Sequence, residues 1–467
     1  MRSPADTPQG GEVARPGLLH PLVAIVVCFG AVFVLSQFFR ASNAVIAKTL
    51  SAEFGLSPEA LGLLTGMFFL SFGLAQIPVG MLFDRFGARR TAPVVLTAAI
   101  AGSILYGLAD GEAMLIAGRL LLGIGCSVVL MGSLFLFGQW APAASFSTWM
   151  GRMIAIGGAG GLLSTTPLAA IAETLGWRTA FWGAAALTAV GAIAIYAMAR
   201  DRPSADAGGA VPAEGLRESL KGVRAALATP GFPTLTLMGF SSYPVVITVL
   251  GLWGGPFLAD RHGLEPVEAG NALLVMAAAL IVANLVLGPL ERRLDMRKWL
   301  ILVLAAVVVA ALGLLAALPA LPTWAVILLL ALVGACGSYN IILAGHARSL
   351  LPNRLAGRGM ALMAIAFMGG PAVLQSVSGV IVGAFPATEG AAPAIAYQAF
   401  FAFLAALVAV ACLAYLRLPD AKPSAGFAPD PAPPAGSERR DSHALHEVPP
   451  QQEEEQDRGN GCDDRGR

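Results

Sequence analysis

Two arginines lie inside long apolar runs of this 467-residue chain, in which only 13% of the residues are charged. An arginine at the centre of a membrane helix costs about 2.5–3.5 kcal/mol on insertion scales, so Arg40 and Arg119 are candidates for a function, and Arg40 with its polar neighbours is expected to face an aqueous cavity. Ser36, Arg40 and Asn43 recur at helical spacing with Gln37 beside them, which predicts one polar stripe. A guanidinium can give a carboxylate or phosphate two parallel hydrogen bonds, so this stripe favours an anionic ligand.

The charges inside the apolar runs have one sign only. We find no Asp or Glu well inside any run, whereas a proton-coupled sugar carrier commonly needs a buried carboxylate. Another interpretation of Arg40 stays open, because it lies near the outward end of its run and its charged head could reach the surface. Tyr243, Tyr339 and Asn340 are further candidates for ligand contact, although polar residues in membrane bundles more often form hydrogen bonds between helices.

Twelve long apolar runs would position these side chains. A membrane helix needs about 20 mostly apolar residues, and backbone groups in hydrocarbon must bond internally, so runs of this length predict helices. The predicted spans are residues 20–44, 59–82, 91–109, 113–136, 148–171, 178–199, 234–257, 268–290, 299–318, 322–345, 359–384 and 394–416.

The loops between these runs differ strongly in positive charge. With a cytoplasmic N-terminus, the outer loops hold only Lys48, Arg178 and Arg261, and the other loop lysines and arginines fall on the inner side. The positive-inside rule therefore predicts that both termini are cytoplasmic.

The chain contains an internal repeat. The stretch "GLSPEALG" begins at Gly55 and "GLEPVEAG" at Gly263, and the charged stretches that begin at Gly80 and Gly288 have the same offset of 208 residues. Two six-helix halves in parallel orientation are therefore predicted. The predicted domains are a cytoplasmic N-terminal segment 1–18, an N-terminal six-helix bundle 19–199, a cytoplasmic central loop 200–230, a C-terminal six-helix bundle 231–417 and a disordered cytoplasmic tail 418–467.

The stretch "GMLFDRFGARR" gathers four charges between the second and third runs. A positive-inside loop would explain its arginines but not the spacing of its glycines and its acid. With this spacing the chain resembles the major facilitator superfamily over about residues 18–417, because its signature loop is matched by Gly80, Asp84, Arg85, Gly87, Arg89 and Arg90. The resemblance implies that this loop latches the two halves in an outward-facing state and opens when they rock.

Other stretches agree with this resemblance. "RLLLGIG" around Arg119 looks like the fourth-helix pattern of the family, "GWRTAF" resembles a stretch before the sixth helix, and "GLWGGPFL" resembles the end of the seventh. In the family, helices 1, 4, 7 and 10 line the cavity, so the resemblance places Arg40 and Arg119 on cavity-lining helices. A second interpretation of Arg119 stays open, as a structural or proton-relay arginine. The fifth span lacks the Gly-Pro pair of the drug/proton antiporters. This difference argues against drug efflux but does not exclude it.

These observations predict an all-α membrane protein with twelve transmembrane helices in two pseudo-symmetric bundles. The predicted function is gradient-driven transport of a small organic anion by alternating access, with a proton or a counter-anion as possible coupling ion. Efflux of amphipathic drugs and a non-transporting receptor or scaffold stay open. We predict no enzyme activity, cofactor, metal or nucleic-acid partner, and a monomer in the lipid of a bacterial inner membrane.

Overall fold

The computed structural model of the chain describes residues 21–141, 143–201, 228–350, 353–386 and 391–425. These residues contain twelve helices long and apolar enough to cross a membrane, which confirms the predicted all-α membrane fold. The predicted N-terminal segment, nearly all of the predicted central loop and the predicted tail beyond residue 425 lie outside the described residues.

The helices follow the predicted runs, and several spans are divided into shorter helices. A π-turn at Val249–Trp253 interrupts the seventh span, and a 3-10 turn at Gly337–Tyr339 interrupts the tenth. The helices are α1 Pro21–Ala41, α2 Asn43–Phe54, α3 Pro58–Phe86, α4 Ala88–Gly107, α5 Glu112–Trp140, α6 Ala143–Leu163, α7 Thr166–Thr174, α8 Trp177–Met198, α9 Phe232–Phe240, α10 Tyr243–Thr248, α11 Gly254–His262, α12 Pro266–Leu294, α13 Lys298–Ala317, α14 Thr323–Cys336, α15 Asn340–Leu350, α16 Asn353–Gly383 and α17 Ala394–Tyr415.

The helical segment of the first predicted span extends ten residues beyond its predicted end at residue 44. Ser42 separates α1 from α2 but keeps helical backbone angles, and α2 continues to Phe54. The apolar run in the sequence ends earlier than the helix because this extension contains Lys48 and Glu53. The extension ends at Gly55, whose φ of +64° lies in the left-handed region that favours glycine.

The two ends of the bundle are named here by a residue at each end. The Asp84 face carries the turn between α3 and α4, with residues 84–90, and the turn between α12 and α13. The Lys48 face carries α2 and the turn between α7 and α8. Chain direction alternates along the spans, so all odd-numbered spans run from the Asp84 face to the Lys48 face.

The turn between α3 and α4 is fixed to the end of the sixth span. Gly87 has φ +74° and separates the two helices. The Asp201 carboxylate, which follows α8, accepts hydrogen bonds from the backbone N–H groups of Ala88 (2.8 Å) and Arg89 (3.2 Å). A negative charge at a helix N-terminus satisfies free N–H groups and complements the helix dipole, so Asp201 stabilises the start of α4.

The C-terminal half repeats this arrangement. The Asp420 carboxylate, which follows α17, accepts from the backbone N–H of Lys298 (3.1 Å) at the start of α13. Ser424 donates to the Asp295 carboxylate through its backbone N–H (2.9 Å) and its hydroxyl (2.7 Å). The hydroxyl hydrogen bond holds the pKa of the Asp295 carboxyl below its usual value. Residues 418–425 of the predicted tail thus contact the bundle.

Candidate functional site

A cavity of about 430 Å³ lies between the two halves. Its walls come from α1, α6, the seventh span and α12, with one residue from α15. Apolar side chains form most of the wall, and the polar members are Gln37, Arg40, Tyr243 and Asn284. The structure therefore brings three of the predicted ligand-contact residues, Gln37, Arg40 and Tyr243, to one cavity.

Arg40 is only 6% exposed. Its guanidinium lies 4.5 Å from the centroid of the Phe72 ring, and its Nη1 lies 3.8 Å from the Met368 sulfur. Both are weak partners for a buried cation. Within the described part of the chain, neither Arg40 Nε nor Gln37 Oε1 has a hydrogen-bond partner. A buried polar group without a partner is costly, so a ligand whose polar groups complement these two atoms would be favoured in the cavity.

Arg119 occupies a different place. It is fully buried, and it is not among the residues of the cavity wall. Its Nη1 donates to the Phe39 carbonyl (2.6 Å), its Nη2 donates to the Ser42 hydroxyl (3.3 Å), and its guanidinium lies 4.8 Å from the Tyr106 ring centroid. In this structure Arg119 supports the junction of α1 and α2, and ligand contact by Arg119 stays a prediction.

Asn43 belongs to the same buried network. Its amide donates to the Thr65 hydroxyl (2.8 Å), and its carbonyl accepts from the Tyr106 hydroxyl (2.9 Å). Asn43 and Tyr106 are both fully buried. The network ties α2 to α3 and α4, and it leaves Asn43 outside the cavity wall.

The predicted residues of the tenth span also lie outside this wall. Tyr339 is fully buried, and its hydroxyl donates to the Ser241 carbonyl (2.9 Å), which joins the tenth span to the seventh. Asn340 is half-buried and lies outside the wall as well. Sequence reasoning missed Asn284, which lines the cavity from α12; it is a lone polar residue in the apolar run "LIVANLVLG", and its position was a usable signal.

The signature loop lies at the Asp84 face, with Asp84, Arg85 and Arg90 all exposed. Arg89 Nε donates to the Tyr196 carbonyl (2.9 Å), so this loop contacts the sixth span of its own half. A β-carbon on Gly80 would lie 3.8 Å from the Met131 sulfur, an ordinary contact. The latch between the halves is predicted for the outward-facing state, and it stays a prediction.

Within the described residues, two polar contacts join the halves near the Lys48 face. The Thr166 hydroxyl donates to Asn271 (2.7 Å), and Lys48 forms an ion pair with Asp260 (2.6 Å). The backbones also approach closely, since a β-carbon on Gly66 would lie 2.8 Å from the Ala372 carbonyl oxygen. These contacts close the Lys48 face, while Met150 and Leu285 extend the cavity wall toward the Asp84 face.

Comparison with known protein families gives one match that covers most of the chain. The family model of the Major Facilitator Superfamily matches residues 28–374. Among solved structures, a bacterial homologue of the human lysosomal transporter Spinster, in an inward-facing and unoccupied conformation, superposes with a TM-score of 0.67. It has 19% sequence identity and covers 84% of this chain and 96% of that chain, a likeness that concerns the fold alone.

Curated relatives match over shorter stretches. A probable sulfoacetate transporter of Cupriavidus necator is 26% identical over 33% of this chain and 36% of its own length. A probable L-galactonate transporter of Escherichia coli is 27% identical over 42% of this chain and 43% of its own length. A tetracenomycin C resistance and export protein of Streptomyces glaucescens is 27% identical over 61% of this chain and 60% of its own length. The matches thus span less than two thirds of these relatives.

Proposed function

Because the chain belongs to the Major Facilitator Superfamily, we propose that it is a gradient-driven transporter of a small organic anion. The anion would bind in the cavity between the halves and reach it alternately from each face. We further propose that the Asp84 face is cytoplasmic, in a bacterial inner membrane, because the loops of that face carry most of the loop arginines and lysines. The division into two six-helix domains is part of this proposal.

The observation that carries the proposal is the state of Arg40. Arg40 lines the cavity and is almost fully buried, and its guanidinium has weak partners only. A carboxylate, sulfonate or phosphate would give it a charged acceptor in a place shielded from water, where such hydrogen bonds are strong. Gln37 Oε1 would then accept from a hydroxyl or amine of the same ligand. Two of the relatives above are named as probable transporters of sulfoacetate and L-galactonate, which supports this class of substrate.

A binding experiment tests the substrate class. The melting temperature of the purified full-length protein is measured with a panel of mono- and dicarboxylates, sulfonates and phosphate esters. A bound anion raises the melting temperature by mass action. Replacement of Arg40 by Ala removes a hydrogen bond to a charged group, so about 10- to 100-fold more ligand should be needed for the same shift.

The control for this experiment is Arg292→Ala, because Arg292 is exposed at the Asp84 face, away from the cavity wall. This variant should respond to the ligand like the wild type. Equal responses of the Arg40→Ala variant and the wild type to every anion that binds would remove Arg40 from the site.

Export of amphipathic compounds is the second candidate. The cavity wall is mostly apolar, with Phe33, Ile154 and Leu280 among its members, and one relative is named as a resistance and export protein. Uncharged or cationic amphipathic compounds would then raise the melting temperature. Their effect would survive in the Arg40→Ala variant, which distinguishes this function from anion transport.

A further inference from the structure

One ion pair joins the two halves at the Lys48 face. Lys48 lies on α2 in the first half, and Asp260 lies on α11 in the second half. The Lys48 ammonium nitrogen is 2.6 Å from Asp260 Oδ1. The sequence places both residues at the ends of apolar runs, where each would pass as an ordinary loop charge.

The two partners are held very differently. The Asp260 side chain is only 6% exposed, and its Oδ2 accepts from the Tyr397 hydroxyl (2.7 Å) and the Ala392 backbone N–H (3.2 Å). Both of these donors belong to the second half. The Lys48 side chain is 47% exposed and reaches the acid on a flexible stem. Asp260 is therefore fixed in place, and Lys48 is the partner that can withdraw.

The helices that carry the pair touch each other directly. Gly255 on α11 faces the Ala44 carbonyl on α2, with no room for a β-carbon between them. A movement that opens the Lys48 face must separate α2 from α11 and thereby break the ion pair. The presence of the pair consequently depends on the conformation of the whole molecule.

We propose that Lys48 and Asp260 form an electrostatic gate that holds the Lys48 face closed, with Asp260 as its fixed half and Lys48 as its moving half. When the gate opens, Asp260 keeps its hydrogen bonds to Tyr397 and Ala392, and the Lys48 ammonium moves into water. The cost of separation is thereby limited, which suits a contact that has to form and break in each transport cycle. The inference rests on the alternating access proposed above, but on no particular substrate.

Water reaches the gate from outside. A surface depression of about 340 Å³ lies between α2 and the start of α12, and its walls include Lys48, Thr49 and Glu265. Because ions in this depression screen the Lys48 charge, high salt should weaken the gate.

The test measures the conformation in the absence of substrate. Spin labels are attached to cysteines introduced at Asp110 and Ala320, which are exposed at the Lys48 face on opposite halves. The native cysteines are replaced in the full-length chain, which is reconstituted in lipid nanodiscs. Pulsed electron–electron double resonance then measures the distances between the two labels. Their distribution gives the ratio of molecules that are open at this face to molecules that are closed.

Replacement of Lys48 by Met should raise the open-to-closed ratio about two- to fivefold, the range of a partly exposed ion pair. Asp260→Asn should act in the same direction, and Lys48→Arg should retain the wild-type ratio because it keeps the charge. Lys48→Met is the safer variant for folding, since half of this side chain is already in water.

The matched control is Glu53→Gln. Glu53 also lies on α2 and pairs with Arg178 (2.5 Å), but Arg178 belongs to the same half. The Arg178 hydrogen bond holds the pKa of Glu53 below its usual value. Because both partners lie in one half, loss of this pair should leave the ratio unchanged. An unchanged ratio in Lys48→Met and Asp260→Asn, or an equal shift in Glu53→Gln, would overturn the gate. Either result would leave the proposal of anion transport unaffected, because the binding experiment with the Arg40→Ala variant tests that proposal separately.

Discussion

At the scale of single residues, the two buried arginines differ in their partners, although both lie in apolar runs of the sequence. Arg119 has carbonyl and hydroxyl acceptors on its own half, so its charge is partly compensated within the described structure. Arg40 has an aromatic ring and a thioether instead, and it lines the cavity. Burial is common to both arginines, so the proposal that Arg40 binds the ligand depends on its weak partners and on its place in the cavity wall.

The network around Asn43 makes a prediction about stability. Replacement of Tyr106 by Phe leaves the buried Asn43 carbonyl without its 2.9 Å donor. The free energy of unfolding should fall by about 0.5–2 kcal/mol, the range for hydrogen bonds within membrane bundles. Thermal unfolding of the purified protein measures this loss. Tyr196→Phe is the control, because Tyr196 is 57% exposed, and it should unfold like the wild type; an equal loss in both variants would contradict this account of the network.

At the scale of the helices, two acids act as caps on helices of their own half. Asp201 accepts from the first N–H groups of α4, and Asp420 accepts from the first N–H of α13. Each acid follows the last span of its half, and each capped helix is the third span of that half. Each six-helix half is thus fastened at the Asp84 face by its own chain end, which favours movement of the half as one body.

These caps can be tested by substitution. Asp201→Ala removes an acceptor from a helix N-terminus and should lower the free energy of unfolding by about 0.5–2 kcal/mol. Asp201→Asn, which keeps an acceptor, should cost less. Asp84→Ala serves as the control because Asp84 is exposed in the neighbouring turn. Unfolding curves that show no difference between Asp201→Ala and Asp84→Ala would contradict the capping role.

At the scale of the whole molecule, hydropathy and run length were sufficient to predict the twelve helices, since lipid leaves few alternatives to a helix. Helical spacing predicted a stripe of Ser36, Arg40 and Asn43 with Gln37 beside it, and of these residues Gln37 and Arg40 line the cavity. What the sequence could not reveal depends on contacts between distant segments. Asp201 and Asp260 look like ordinary loop acids, and only the packed structure shows that one caps α4 and the other pairs with Lys48 across the halves.

Residues of the same type also differ in ways that spacing does not encode. Asn43 continues the stripe of Arg40, yet it turns into a network with Thr65 and Tyr106 because the chain at that point packs against α3 and α4. Asn284 has no periodic partners, yet it reaches the cavity wall. Which polar side chain faces the cavity is decided by the rotation of each helix against its neighbours.

The most direct test of the central claim is transport itself. Proteoliposomes that contain the full-length protein are loaded with one organic anion at high concentration, and counterflow of the same labelled anion is followed for a panel of carboxylates, sulfonates and phosphate esters. We predict counterflow of at least one anion, a loss of about tenfold or more in Arg40→Ala, and wild-type rates in Arg292→Ala. Counterflow of uncharged or cationic compounds alone, at a rate that Arg40→Ala does not change, would contradict the account.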